Sequence, residues 1–185
     1  MVANGTTWPS LRAVAEKAGT TTRAVYTLFG SKEGLVAALA ERGFGLLESS
    51  VSSVPHTADP LEDLVEAGLR FRRFALDHPS LFRLTFERVP AEVLAASGVA
   101  ESGYQSFRAL RRLVRRAQEA GALPDDMTAN ELSYTFHAVC QGLASCELAG
   151  EPPPVGASMW PMIDGSDPES LWRRTLRAFL RGLPT

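Results

Sequence analysis

Leu11, Val14, Ala15 and Ala18 recur three and four residues apart, the spacing of one face of an α-helix. Gly19 follows at once. Glycine reaches the left-handed backbone conformation without a steric cost, so the pattern predicts a helix that stops there. Thr20, Thr21 and Thr22 supply hydroxyls to cap a second helix. That helix is short, expected over Thr21–Phe29, with Ala24, Val25, Leu28 and Phe29 turned inward and Gly30 at its end. Ser31 caps a third helix over residues 32–54, whose buried side is marked by Leu35, Leu39, Phe44, Leu47 and Val51. Gly43 and Gly45 each weaken it by about 1 kcal/mol relative to alanine. They serve either as bending points or as places of close packing. Ahead of all three helices, Thr7 is placed to cap the first and Pro9 to sit in its opening turn.

The pattern stays helical to the end of the chain. The turn cluster at residues 55–60 marks a boundary near the end of the third helix. We divide the chain into a head, residues 1–47, and a body, residues 48–185. Leu61, Leu64, Val65, Leu69, Phe71, Phe74 and Ala75 predict a strong helix, stopped by Pro79. A short helix over 80–87 turns Leu81, Phe82, Leu84 and Phe86 inward, and residues 88–103 read as a loop with one helical turn. The next helix starts at Tyr104, is striped by Phe107, Leu110, Val114 and Ala117, and closes at Gly121. Thr128 and Glu131 form a capping box for a helix over 129–149. That helix carries very few charges, so it must be buried on more than one side, and a partner subunit is the simplest cover. Residues 151–168 are rich in proline and glycine and read as a loop anchored by Trp160. The last helix, 168–181, carries Leu171, Trp172, Thr175, Leu176, Phe179 and Leu180. The fold class is all-α.

Charge changes the picture only locally. The net charge of −2 excludes a broadly basic nucleic-acid coat. Residues 1–47 nevertheless hold five cations against three anions, a net +2, which leaves room for a local footprint on DNA. The arginine run Arg108, Arg111, Arg112, Arg115 and Arg116 reads either as a second nucleic-acid or acidic-ligand contact or as a solvated face paired to acids, and the second reading is preferred. No apolar run approaches the roughly 20 residues of a membrane span. No secretory leader opens the chain, so a cytoplasmic location is expected.

Candidate chemistry is sparse. Cys140 and Cys146 are six apart on one helix and so lie on different faces, which argues against a disulfide or a metal pair. His56, His78 and His137 have no cysteine or carboxylate at ligand spacing. No glycine-rich phosphate loop, nucleophile elbow or H-E-x-x-H is present. We therefore expect no enzyme, no cofactor and no metal. Two short helices joined by a glycine turn are a helix-turn-helix pattern. In its DNA-binding form the second helix enters the major groove. Here that helix carries Thr21, Thr22, Arg23, Tyr26 and Thr27 on its outer face. An ordinary helical hairpin has the same spacing.

The run from Leu11 to Leu39 resembles the DNA-binding domain of TetR-type (tetracycline-repressor-like) transcriptional regulators. The resemblance rests on Ala15-Glu16-Lys17-Ala18-Gly19, on Val25-Tyr26-Thr27-Leu28-Phe29, and on Ser31-Lys32-Glu33. It extends less sharply into the body. The phrase FRRFALDHPSLFRLTFE, Phe71 to Glu87, resembles the opening of the ligand-binding domain of one subgroup, where N-P-x-L-Y-x-L-M-F follows such a helix. His137 to Leu148 approximates that subgroup's W-A-x-x-H-G-L-x-S-L-E-L, with His137 and Gln141 replacing its tryptophan and histidine.

The resemblance implies a homodimeric, ligand-responsive repressor on a palindromic operator of double-stranded DNA. Tyr26 and Lys32 would bind backbone phosphates. Thr21, Thr22, Arg23 and Thr27 would face base edges, with Arg12 nearby. Pocket candidates are Phe71, Phe74, Phe82, Phe86, Phe107, Phe136, His137, Cys140 and Trp160, and so many aromatics suggest a small apolar or aromatic ligand. Residues 129–149 and 168–181 would form the dimer interface. The family also begins with a further helix ahead of Thr7, ending in a phrase like Asn4-Gly5-Thr6-Thr7. That helix is expected to be missing here, either because the start is truncated or misassigned or because the protein lacks it. The rival expectation is therefore a dimeric small-molecule-binding or interaction module with weak or lost DNA binding.

Overall fold

The computed structural model describes residues 10–87, 89–94, 97–149 and 167–183. Regular structure among them is helical throughout, as the pattern predicts. In order come α1 (Leu11–Lys17), α2 (Thr22–Phe29), α3 (Lys32–Ser52), α4 (Pro60–Asp77), α5 (Pro79–Phe82), a π-helical turn (Arg83–Glu87), α6 (Ala91–Leu94), α7 (Ser97–Glu119), α8 (Ala129–Leu148) and α9 (Pro168–Arg181).

Local chemistry explains most of these limits. The Ser10 hydroxyl accepts from the Ala13 amide at 3.2 Å and starts α1, three residues after the Thr7 expected to cap it. Gly19 sits at φ +63°, and the Thr20 and Gly19 amides donate back to the Ala15 and Glu16 carbonyls at 2.9 and 3.1 Å. This glycine-closed end satisfies carbonyls that the helix leaves open. Thr21 then caps α2 and Ser31 caps α3. Thr128 and Glu131 make the expected capping box on α8.

α3 organises the packing, because successive turns of it enter three separate apolar clusters. Leu35 joins Leu11, Ala15 and Val25 in the head. Val36 and Ala40 pack on Val93 and Val99. Leu47 and Val51 join the large core of the body, with Leu64, Phe71, Phe82, Phe136, Trp172 and Leu176. The expected head–body boundary at residue 47 therefore falls inside one unbroken helix.

Four expectations need correction. α7 begins at Ser97 and not at Tyr104. Gly98 and Gly103 weaken the helical signal there, but burial of Val99 against Val36 and Ala40 overrides propensity. Leu39 is consequently outside the packed face of α3, since α6 and the first turns of α7 cover Val36 and Ala40. Leu28 is 75% exposed, not inward. α2 is seated through Val25 and Phe29, and Leu28 lies about 100° of helix turn from Phe29. The segment expected as a short α-helix over 80–87 is one α turn followed by the π turn, with Phe82 and Thr85 buried and Phe86 half-buried. Trp160 lies outside the described residues.

Ion pairs tie the body helices together. Arg72 of α4 grips Glu147 of α8, donating through Nη2 at 2.6 Å and Nε at 2.9 Å. The buried Trp172 of α9 donates its indole N–H to the same carboxylate at 2.9 Å. Arg177 of α9 pairs with Glu62 of α4 at 2.6 Å. Arg116 of α7 pairs with the buried Asp63 and also donates to the Thr57 carbonyl. Among the described residues, no helix is long and apolar enough to cross a membrane.

Candidate functional site

Two features of the structure can carry function: the outer surface of α2 in the head and a cavity in the body. α2 is held from behind by Val25 and Phe29, so its opposite face is open. Arg12, Thr21, Arg23, Tyr26 and Thr27 are exposed, Tyr26 by 51%, whereas Thr22 and Lys32 are half-buried. The threonine hydroxyls are oriented by their own backbone. Thr21 Oγ1 accepts from the Ala24 amide at 3.1 Å, which leaves its O–H free to donate. Thr27 Oγ1 donates to the Arg23 carbonyl at 2.9 Å, which leaves its lone pairs free to accept. Donor, acceptor, guanidinium and phenol thus share one short helix. Leu28 adds a large apolar side chain to this surface.

Lys32 opens α3 beside the capping Ser31, whose hydroxyl takes the Gly34 amide at 3.0 Å. Glu33 is the one nearby acid in that turn. Hydrogen bonds from the backbone and from Ser31 hold its carboxyl below the usual carboxylate range. It is therefore already engaged at the end of its own helix.

The body carries a partly open cavity of about 110 Å³ between α3, α4, the π turn, α7 and α8. Its wall includes Phe71, Phe86, Phe107, Phe136, His137 and Cys140, six of the residues singled out from the sequence. Phe74 and Phe82 stand behind the wall. Phe82 packs edge-on against Phe71 at 5.7 Å between centroids, and Phe74 against Phe86 at 6.4 Å. Phe74 instead lines a wider, shallow cleft with Leu46, Ser50, Arg70, Arg73, Asp77 and His78.

Sequence reasoning missed Phe44, Leu47 and Val51 of α3, Ala67 of α4, and Gly103, Ser106 and Leu110 of α7. The α3 residues carried a signal, since they sit on the buried stripe. Only the pairing of α3 with α7 turns that stripe into a cavity wall.

The cavity is electrically neutral. No Asp, Glu, Lys or Arg lines it. Burial holds His137 below the usual histidine range, only partly offset by a hydrogen bond with Gln141, so the ring is uncharged at neutral pH. The same effect pushes the Cys140 thiol far above its ordinary range and keeps it protonated. His137 stands edge-on to Phe71 at 5.4 Å and tilted to Phe86 at 5.5 Å, the geometry a ring quadrupole favours.

Most of the arginine run on α7 is used internally. Arg116 holds Asp63, Arg112 donates to Ser52 Oγ at 3.0 Å, Arg111 to Asn130 at 3.3 Å, and Arg108 lies over the Tyr104 ring. Cys140 and Cys146 are free thiols. Among the described residues no cluster of three His, Cys, Asp or Glu side chains could hold a metal ion.

Comparison with known proteins places these features. A family model described as bacterial regulatory proteins, tetR family, matches residues 4–39. A second, described as a tetracyclin repressor-like C-terminal domain, matches residues 64–179. Among solved structures, a protein with unknown function from Rhodococcus sp. RHA1 is 26% identical, with a TM-score of 0.72 over 95% of this chain and 84% of its own. The TetR family transcriptional regulator PfmR from Thermus thermophilus is 20% identical, with a TM-score of 0.66 over 95% of this chain and 90% of its own. The fatty acid degradation regulator FadR from Bacillus halodurans is 16% identical, with a TM-score of 0.69 over 92% and 82%. The last two are likenesses of fold. No curated protein matches the chain.

Proposed function

Because the chain belongs to the TetR family of bacterial regulatory proteins, we propose that this DNA-binding regulator is a homodimeric, ligand-responsive repressor. The observation that carries the reading is the double role of α3. Its first residue, Lys32, stands beside the exposed α2, while Phe44, Leu47 and Val51 further along the same helix line the cavity. A ligand in the cavity therefore bears on the helix that positions the reading head. A ligand shifts such an equilibrium only by its differential affinity for the two head positions.

In this reading Tyr26 donates a hydrogen bond to a phosphate and Lys32 neutralises charge. Arg12 adds a further cation. Thr21, Thr22, Arg23 and Thr27 face base edges, and Arg23 can take a guanine bidentately. Two heads would dock half-sites of a palindrome about 34–36 Å apart, one helical turn, or a multiple of it. The dimer would form through residues 129–149 and 168–181. On α8 the exposed row Tyr134, Ala138, Gly142 and Cys146 is uncharged and repeats every four residues, which supports that use. The ligand would be small and apolar or aromatic, and the protein would act in the cytoplasm.

The test is binding of the purified protein to DNA flanking its own gene, titrated against salt and competitor DNA. A regulator prefers one sequence. Equal, weak binding to all DNA overturns the repressor reading and leaves a dimeric small-molecule-binding or interaction module.

A further inference from the structure

We propose that the cavity accepts an uncharged single-ring aromatic molecule bearing one hydroxyl, a phenol, with Ser106 as its hydrogen-bond partner. The proposal rests on the ligand-responsive reading above and names the class of ligand.

Size sets the first limit. Apolar cavities on the order of 150 Å³ hold one benzene ring. The space here, about 110 Å³, is of the same order, so a single ring with at most one small substituent is the size class nearest to it.

Charge sets the second. With no ionic side chain in the wall and His137 neutral, a carboxylate or ammonium would lose its water and gain no countercharge. The cleft outside carries two arginines that are paired. Its Arg70 and Arg73 both pair with Glu66, and Arg70 also donates to the Ser50 carbonyl at 2.9 Å.

The third observation identifies the polar group. Ser106 is only 8% exposed and lines the cavity, yet its hydroxyl makes no hydrogen bond with any described residue. Among the described residues Thr85 Oγ1 is the fully buried hydroxyl without a partner, so the Ser106 hydroxyl still reaches the open space of the cavity, where a ligand can meet it. Ser133 of α8, by contrast, is satisfied by the Ala129 carbonyl at 2.6 Å. Ser106 can accept from a phenolic O–H while the ligand ring meets the edges of Phe71, Phe86 and His137.

The experiment is calorimetric titration of the full-length chain, without DNA, at pH 7 with phenol, toluene and benzoate. Phenol is neutral there and benzoate is an anion. Phenol should bind about 5–10-fold more tightly than toluene, the ratio that one net hydrogen bond supplies. Benzoate should not bind at phenol-saturating concentrations. Ser106→Ala should reduce phenol to the affinity of toluene and leave toluene unchanged, which also shows that the variant is folded. His137 ring-proton resonances should shift with either neutral ligand, locating both in the cavity.

Benzoate binding as well as phenol, unchanged phenol affinity in Ser106→Ala, or no binding of phenol and toluene each overturns the proposal. The regulator reading fails separately. If phenol binds through Ser106 but operator affinity is unaltered, ligand responsiveness falls and the assignment of the cavity stands.

Discussion

The Thr85 hydroxyl of the π turn occupies the space that a Cβ would fill at Gly43 of α3. It is buried and has no hydrogen-bond partner among the described residues. The next residue, Phe86, faces the cavity. One turn of chain therefore touches both the cavity wall and the helix that runs into the head.

This contact gives opposite expectations two residues apart. Gly45 has open space around it, so Gly45→Ala should stabilise by about 1 kcal/mol through helix propensity. Gly43→Ala gains the same propensity but forces Thr85 aside, and overpacking of this kind costs about 1–3 kcal/mol. Its net effect should be a loss. Thr85→Val, which deletes the unpaired hydroxyl at constant shape, should stabilise by about 1 kcal/mol. Urea denaturation of the three variants checks the signs.

Glu147 is the second point of leverage, because one carboxylate serves Arg72 of α4 and Trp172 of α9. Both side chains of the ion pair are largely buried, at 13% and 7% exposure. Glu147→Ala leaves the buried Arg72 only Glu169, at 3.8 Å, and strands the Trp172 indole N–H, so it should cost about 3 kcal/mol. Glu147→Gln keeps an acceptor and should cost less. By contrast, Glu66→Ala removes a more exposed partner of Arg70 and Arg73 and should cost under about 1 kcal/mol. Thermal unfolding ranks the three.

On DNA, the α2 surface predicts two kinds of loss. Lys32→Ala should weaken binding to all sequences alike and lower the slope of log affinity against log salt by about 1. Tyr26→Phe should also act across sequences, with little change in that slope. Arg23→Ala should cost about 1–3 kcal/mol on the preferred site and relax preference at one base position. Fluorescence anisotropy on selected and scrambled duplexes separates these patterns.

His137 predicts a pH dependence. Its folded pKa lies below the ordinary value near 6.5 because burial disfavours the charged ring. Above that ordinary value both folded and unfolded states are neutral there, and the stability is fully present. As pH falls through about 6.5, the unfolded chain takes up a proton that the folded chain resists, and stability is lost until the folded pKa is passed. The slope cannot exceed about 1.4 kcal/mol per pH unit for one group. His137→Leu should flatten the stability profile between about pH 7.5 and 5.5 relative to the wild type. Equal slopes in the two proteins would rule the histidine out as the source.

The sequence by itself determined what short-range chemistry controls. Gly19 at positive φ, the Thr21, Ser31 and Thr128 caps, and the inward Val25 and Phe29 follow from rules that span four or five residues. The head's outward residues were legible for the same reason, since a helix of known register shows which side chains share a face. Aromatic density likewise pointed to Phe71, Phe86, Phe107, Phe136 and His137.

Only the tertiary structure decided which apolar face meets which. It buried Val36 and left Leu39 outside, because α6 and the early start of α7 cover one side of α3. It left Leu28 on the surface because α2 is seated through a narrow seam. It set Phe74 and Phe82 behind the cavity and brought Phe44 and Ser106, far apart in the chain, into it. Periodicity states that a residue is on a buried side; it carries no information about the neighbour on the other helix, and cavities, like the Arg72–Glu147–Trp172 junction, belong to pairs of helices.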